Sequence, residues 1–269
     1  MTSPGEVFTV FTSPYLSAGV PALGEVKGLM NIKEFNDYFI DITFKVMPKK
    51  FRPNKIMTIA TVDKNKNRTL IIAFVIFKYM DSESYFRIFK YLHENYGFFP
   101  KYIHTDYESA LQAAIKKSTF FNKDLVHLKC FFHFVKSLRE KLKKIKYNKK
   151  GINKECSEIL SNIELIFFIE KNRIESYKKF INDKLKNMQD YKEFLKYLNS
   201  YWFKKPDNEY NFSDILQKFE GNIGNLNTFY FTNNITESIH AKINYYLPRH
   251  ISSEYNFISP LYLPKRAHN

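Results

Sequence analysis

The sequence predicts an α/β fold in which a mixed five-stranded sheet is flanked by helices and followed by a helical block. Three observations carry this prediction. Three strand-like segments come first, strand-like and helix-like segments then alternate, and apolar residues recur at helical spacing from 152 to 203. At 269 residues, of which 44% are hydrophobic, the chain is long and apolar enough to bury a full core.

The first three strands are predicted at 37–46, 55–63 and 69–80, because each segment is rich in β-branched and aromatic residues. The polar run KNKNR separates the second strand from the third and has the composition of a turn. Short spacing and turn signals favour an antiparallel meander for these three strands.

Alternating helices and strands are predicted after the meander. Asp81 is the predicted N-cap of a helix that ends near Tyr96, and Gly97 is predicted to terminate that helix. The next predicted elements are a strand at 101–105, a helix at 107–118, a strand at 124–129 and a helix from about Cys130 to Lys146. This element order is that of the ribonuclease H-like fold, in which the first strand lies beside the fourth.

The predicted organisation has five parts. They are an irregular N-terminal segment at 1–34, a core at 35–146, a mainly helical segment at 147–230, a last core helix at 231–250 and a tail at 251–269.

Charge favours a polyanionic partner, nucleic acid before membrane. The net charge is +15, and between Lys136 and Lys205 there are 19 Lys or Arg residues against 9 Asp or Glu. A biased nucleotide composition of the coding sequence is the competing explanation, since the chain is also rich in Asn, Phe, Tyr and Ile. Charge alone therefore leaves nucleic-acid binding open.

Targeting and redox signals are sparse. No apolar run approaches the roughly 20 residues that span a bilayer, and the N-terminus carries no basic segment of the secretory type. Two cysteines are too few for a disulfide framework and suggest a reducing compartment.

Three carboxylates are the candidate metal-binding residues. Asp41 lies within the first predicted strand, between Ile40 and Ile42, and a buried carboxylate there needs a partner. Asp106 follows the fourth strand, so parallel pairing of the first and fourth strands would bring the two together. Glu237 falls early in the last predicted helix. Hard divalent cations such as Mg²⁺ prefer such oxygen ligands.

Two of the three carboxylates, Asp106 and Glu237, also have a simpler interpretation. Asp106 has the residue type of an N-cap for the helix that follows. Glu108 is the other candidate carboxylate in this segment, and a negative charge there would be stabilised by the positive N-terminal end of the same helix. Glu237 would be stabilised in the same way at the start of the last predicted helix.

Five segments in this order resemble the transposase domain of Mutator-like elements, the MULE family. They are DITFK with Asp41, PKYIHTDYESALQAAI with Asp106, CFFH at 130–133, YW at 201–202 and TNNITESIH with Glu237. The resemblance covers roughly residues 35–250. It implies a DDE catalytic core with an all-helical insertion before the final glutamate, and DNA strand cleavage and transfer that depends on Mg²⁺ or Mn²⁺.

Carried over by position, the resemblance makes Asp41, Asp106 and Glu237 both the catalytic residues and the metal ligands. Cys130 and His133 match the family's C-x-x-H motif, for which we expect a packing or DNA-contact role near the site. The basic helix after this motif is expected to bind the DNA backbone through Lys136, Arg139, Lys143, Lys144 and Lys146. Implied partners are transposon-end DNA and a second copy of the chain, and the implied location is the nucleus.

The sequence departs from the family pattern in two respects. Ile42 stands where the family often has Gly, which a strand tolerates. With two cysteines, the chain has neither the zinc-binding recognition module nor the zinc knuckle common in such transposases. These departures are compatible with a fragment, a decayed copy or a host-adapted derivative, and a non-catalytic DNA-binding protein is the alternative function. A third alternative is a repair-type nuclease with a ribonuclease H-like fold, which would need neither the TNNITES segment nor the long helical insertion.

Overall fold

The structure is a computed structural model. It describes residues 35–43, 55–63, 68–77, 79–121, 123–145, 154–186, 188 and 191–204. The irregular segment predicted at 1–34, the last core helix predicted at 231–250 and the tail at 251–269 lie outside these residues.

A mixed five-stranded sheet forms the first part of the chain. Its strands are β1 (Asp37–Thr43), β2 (Lys55–Asp63), β3 (Arg68–Phe77), β4 (Tyr102–Thr105) and β5 (Val126–Lys129). Their spatial order is β3-β2-β1-β4-β5. β2 pairs antiparallel with both β1 and β3, and β1 pairs parallel with β4. The predicted sheet class, the meander and the central position of the first strand beside the fourth are confirmed.

Helices alternate with the later strands. They are α1 (Ser82–Tyr96), α2 (Ser109–Lys117), α3 (Phe131–Ile145), α4 (Lys154–Glu164), α5 (Ile174–Lys186) and α6 (Lys192–Tyr197). Short 3₁₀ turns at Leu165–Phe168 and Lys171–Arg173 separate α4 from α5, and a π-helical turn at Leu198–Trp202 follows α6. The predicted helical stretch at 152–203 is therefore helical but interrupted.

Among the described residues, chain contacts define two compact units, of which the first ends at His127 and the second begins at Leu128. In the first unit, Tyr38 and Ile40 of β1 pack in one apolar cluster with Phe89 of α1 and Leu111 of α2. Because side chains alternate along a strand, Phe39 and Asp41 face the other side of the sheet. The core of the second unit includes Phe134 of α3, which packs against Phe167 and edge-on against Trp202.

The ends of α1 match the capping signals in the sequence. Asp81 is the N-cap, and its Oδ1 accepts a hydrogen bond from the Ser84 N–H at 2.8 Å. Gly97 ends the helix with a φ of 66°, and its N–H donates to the His93 carbonyl at 3.0 Å. Glycine suits this left-handed position because a Cβ would crowd the neighbouring carbonyl.

We expect Gly97→Ala to lower the free energy of unfolding by about 1 kcal/mol, because alanine incurs the left-handed penalty that glycine avoids. Gly97→Asn should cost less, since asparagine tolerates this backbone region. Chemical denaturation of the three proteins checks the order. An alanine variant as stable as the wild type would contradict the capping role.

Candidate metal centre

Asp41 occupies the centre of the sheet. It is the fifth residue of β1 and is 7% exposed, and its neighbour across the β1–β2 ladder is the buried Thr58. Ile40, one residue before it, belongs to the apolar cluster under α1 and α2. The alternation of the strand therefore places the Asp41 carboxylate on the opposite face of the sheet from that cluster.

Asp106 follows the last residue of β4 and closes a tight turn into α2. Its Oδ1 accepts a hydrogen bond from the Glu108 N–H at 3.0 Å. The Thr105 hydroxyl donates to the Asp106 carbonyl at 2.8 Å. An aspartate that binds the backbone two residues later is a common turn former, and this turn fixes the direction of the Asp106 side chain.

Register brings the two aspartates together. β1 and β4 run parallel, and Phe39 lies beside His104 in their ladder. Asp41 comes two residues after Phe39, and Asp106 comes two residues after His104, just past the end of β4, so both lie towards the same end of the strand pair. A carboxylate oxygen of Asp41 and one of Asp106 lie within 4.8 Å of each other.

This pair has the chemistry of a divalent-cation site. Two carboxylates this close repel each other, and a cation bound between them converts the repulsion into attraction. Mg²⁺ takes oxygen ligands and is commonly held by one or two carboxylates together with substrate phosphate. Asp41 and Asp106 therefore fit the metal that the sequence resemblance implies.

Glu108, and not Asp106, is the N-cap of α2. The Glu108 Oε2 accepts a hydrogen bond from the Leu111 N–H at 3.1 Å, and the helix begins at Ser109. The alternative interpretation of Asp106 as a cap is therefore wrong, and so is the placement of Glu108 inside the first helical turn. The position was missed because Glu is a less common cap than Asp.

Glu108 also sits in a less polar setting than a surface carboxylate. Burial raises the pKa of the Glu108 carboxyl above its usual range, although contacts with Tyr85 and the Leu111 N–H oppose the rise, and the charge of Asp106 adds to it. Among the described residues, the group whose possible ligand atoms lie within 4.8 Å of one another includes Asp106 and not Glu108, so the turn separates the two roles.

Two histidines support the same region of the sheet. His104 is buried, stacks on Phe39 with ring centroids 4.3 Å apart, and lies 3.8 Å from the Asp37 carboxylate. The Thr105 hydroxyl contacts His127 Nε2 at 2.7 Å. Both histidines thus have structural partners, which nothing in the sequence pattern indicated.

The C-x-x-H motif lies at the start of α3, in the second unit. Cys130 is buried, and its carbonyl accepts a hydrogen bond from the Phe134 N–H at 3.2 Å. His133 is the third residue of the helix and is half-buried. The role of this pair stays a prediction.

The basic candidates share the exposed side of α3. Lys136, Arg139, Lys143 and Lys144 are exposed, whereas Phe134, Val135, Leu138 and Leu142 are buried on the other side of the helix. Arg139 lies 3.5 Å from Glu164, so part of its charge is already compensated. The third predicted carboxylate, Glu237, and the last predicted basic residue, Lys146, lie outside the described residues.

Part of the chain matches the model of a known protein family. Residues 38–137 match the family model of the MULE transposase domain. The matched segment begins in β1, ends in α3 and includes Asp41, Asp106, Cys130 and His133, so the resemblance inferred from the motifs is confirmed over this segment. It indicates a transposase-type domain. A search of curated proteins found no match.

No helix in the part of the chain that the structure describes is long and apolar enough to cross a membrane.

We expect Mn²⁺ to raise the unfolding temperature of this chain, because an ion that binds only the folded state stabilises it. At 100 times the dissociation constant the gain should be about 2.7 kcal/mol. Asp41→Asn and Asp106→Asn should abolish the shift, since each removes a charged ligand. Asn at position 106 still accepts the turn hydrogen bond, which keeps the fold intact. Thermal denaturation with and without Mn²⁺ measures the effect.

Two matched variants serve as controls. Asp183→Asn removes an exposed carboxylate on α5, and Glu108→Gln removes the charge nearest Asp106 in sequence. Both variants should keep the Mn²⁺ shift. An equal shift in all five proteins would contradict the metal centre.

Proposed function

We propose that this chain is the catalytic domain of a DDE-type transposase, which cleaves and joins DNA strands with a divalent metal. One observation carries the proposal: the Asp41 and Asp106 carboxylates lie within 4.8 Å of each other at neighbouring parallel strands. Both residues fall inside the segment that matches the MULE transposase domain.

The architecture supports the proposal. A three-stranded antiparallel meander followed by two further strands, with the first strand beside the fourth, is compatible with a ribonuclease H-like fold. The helices from α4 to α6 then correspond to the all-helical insertion that such transposases carry before their final glutamate. Glu237, in the last helix predicted from the sequence, would complete the proposed triad.

The proposed chemistry assigns separate tasks to the residues. Asp41 and Asp106 would hold the metal, and Glu237 would supply the third carboxylate. Bound Mg²⁺ or Mn²⁺ supplies activation of the attacking water or 3′-hydroxyl and stabilisation of the leaving oxygen. The Asp106 turn and the β1–β4 ladder hold the two aspartates in place, so little reorganisation is needed when substrate arrives.

DNA contact is proposed for the exposed side of α3. Lys136, Lys143 and Lys144 are exposed. Lys143 and Lys144 are adjacent and follow Lys136 by about two helical turns, so the three form a row of cations along the helix. Cations of this kind bind phosphates without reading sequence. Transposon-end DNA is the proposed substrate, a second copy of the chain the proposed partner, and the nucleus the proposed location.

A catalytically inactive DNA-binding derivative, or a truncated remnant, is the alternative function. It shares the fold and the basic helix but needs no metal. The paired aspartates favour the enzyme, since two like charges held this close destabilise a protein that binds no cation between them.

We expect the wild-type chain to nick supercoiled plasmid in the presence of Mg²⁺ or Mn²⁺ and not in excess chelator. Asp106→Asn and Glu237→Gln should each lower the rate by at least about a hundredfold, which corresponds to a loss of roughly 3 kcal/mol of transition-state stabilisation. Gel separation of supercoiled, nicked and linear plasmid gives the rates, and labelled target DNA reports strand transfer.

Asp183→Asn is the matched control and should nick at the wild-type rate. If the wild type does not nick, while salt-sensitive DNA binding survives in both carboxylate variants, the inactive binding protein is the correct function.

We expect replacement of Lys136, Lys143 and Lys144 by Gln to weaken DNA binding and to flatten its salt dependence. For each lysine–phosphate interaction that the substitutions remove, the slope of log K against log salt should become shallower by about 0.9. Titration of a labelled duplex at several salt concentrations measures this slope.

A second triple variant removes the same charge from α5 and α6, at Lys179, Lys186 and Lys192, which are also exposed. Its slope should change less. Equal changes in the two triple variants would indicate a diffuse charge effect and would contradict a binding role for α3.

A further inference from the structure

An exposed aromatic residue lies in the last helical turn that the structure describes. Tyr201 lies in the π-helical turn Leu198–Trp202 and is 42% exposed. Its ring lies parallel to that of Tyr197, with centroids 5.9 Å apart and an angle of 6° between the planes. Tyr201 therefore adds a second layer to an existing aromatic stack.

The stack is anchored in the core of the second unit. Trp202 is buried, meets the Tyr201 ring edge-on at 4.9 Å and meets Phe134 of α3 edge-on at 4.8 Å. The Trp202 Nε1–H donates a hydrogen bond to the Tyr197 hydroxyl at 2.9 Å. These interactions fix the ring of Tyr197 on which Tyr201 rests, so a ligand would meet a platform whose orientation is already set.

A lysine side chain lies close to this pair of tyrosine rings. Lys141 Nζ of α3 lies 5.4 Å from the centroid of the Tyr197 ring, within the range of a cation–π interaction. Lys196 and Lys204 are exposed and lie in the same part of the sequence. Aromatic rings beside cations are the combination that binds single-stranded nucleic acid, because each base stacks on a ring and each phosphate meets a positive charge.

Phe180 of α5 provides a comparison within the same unit. It is also strongly exposed, at 48%. Its ring lies beside that of Tyr177, and those two rings are tilted by 37° and not parallel. Exposure alone does not distinguish Tyr201 from Phe180, whereas the parallel stack and the cation do.

We propose that Tyr201 is a stacking platform for an unpaired DNA base, with the Tyr197 ring parallel to it and Lys141 close to the Tyr197 ring. The positive surplus of this part of the chain favours a polyanion as the occupant over a protein surface. The platform selects unpaired nucleotides, since a base within a duplex has both faces covered by its neighbours. This subsite needs none of the metal-binding carboxylates, so it goes beyond the proposed strand cleavage.

The test is binding of a fluorescent single-stranded thymidine oligonucleotide, measured by anisotropy at fixed salt. Tyr201→Ala should weaken binding by about tenfold, as loss of one base–aromatic stack does. Tyr201→Phe should bind as the wild type does, because the ring remains. Phe180→Ala is the matched control and should leave the affinity unchanged. Thermal denaturation of all four proteins confirms that each is folded.

Two further probes separate stacking from charge. An abasic oligonucleotide of the same length keeps the phosphates but offers no base, and a blunt duplex offers no unpaired base. Tyr201→Ala should bind both as the wild type does. Unchanged binding of the thymidine oligonucleotide by Tyr201→Ala would overturn the proposal, and so would an equal loss on the abasic strand, on the duplex or in Phe180→Ala.

The same assay distinguishes this proposal from the proposed enzyme function. In excess chelator, where no metal can contribute to DNA binding, Asp41→Asn should bind the single strand like the wild type, and in Mg²⁺ it should fail to nick plasmid. Loss of nicking therefore tests the metal centre, and loss of base-dependent binding tests the platform.

Discussion

The parallel pairing of β1 with β4 is the constraint on which the candidate site depends. It joins strands that are separated by the rest of the meander and by α1, and its register sets Phe39 beside His104. Two residues further along, that register determines that Asp41 and Asp106 meet. Shifting the pairing by one residue would turn one of the carboxylates to the opposite face of the sheet, into the apolar cluster under α1 and α2.

Much of the sheet could be predicted from the sequence because its signals are local. The bounds of β2 were predicted at 55–63 and observed as Lys55–Asp63, and α1 is capped by Asp81 and Gly97 as expected. β3 ends at Phe77, before the predicted 80, and the exposed Tyr79 and Met80 lead instead into the cap of α1. An apolar run shows that a strand exists but marks its end poorly.

Features that depend on side-chain direction could not be predicted. The choice between Asp106 and Glu108 as the cap of α2 follows from the turn that Asp106 makes with the Glu108 N–H, and composition does not specify that turn. The pairing of Thr105 with His127 depends on two strands meeting. Asp41 was recognised because a carboxylate between two isoleucines is costly without a partner, which is a property of the sequence itself.

The turn at Asp106 has a consequence for ion selectivity. One oxygen of this carboxylate accepts a backbone N–H, and this bond restrains the direction from which the carboxylate could meet an ion. Mg²⁺ demands near-ideal octahedral geometry, whereas Ca²⁺ accepts six to eight oxygens in a more flexible arrangement. A backbone hydrogen bond formed during folding would in this way favour the ion with the stricter geometry, before any substrate arrives.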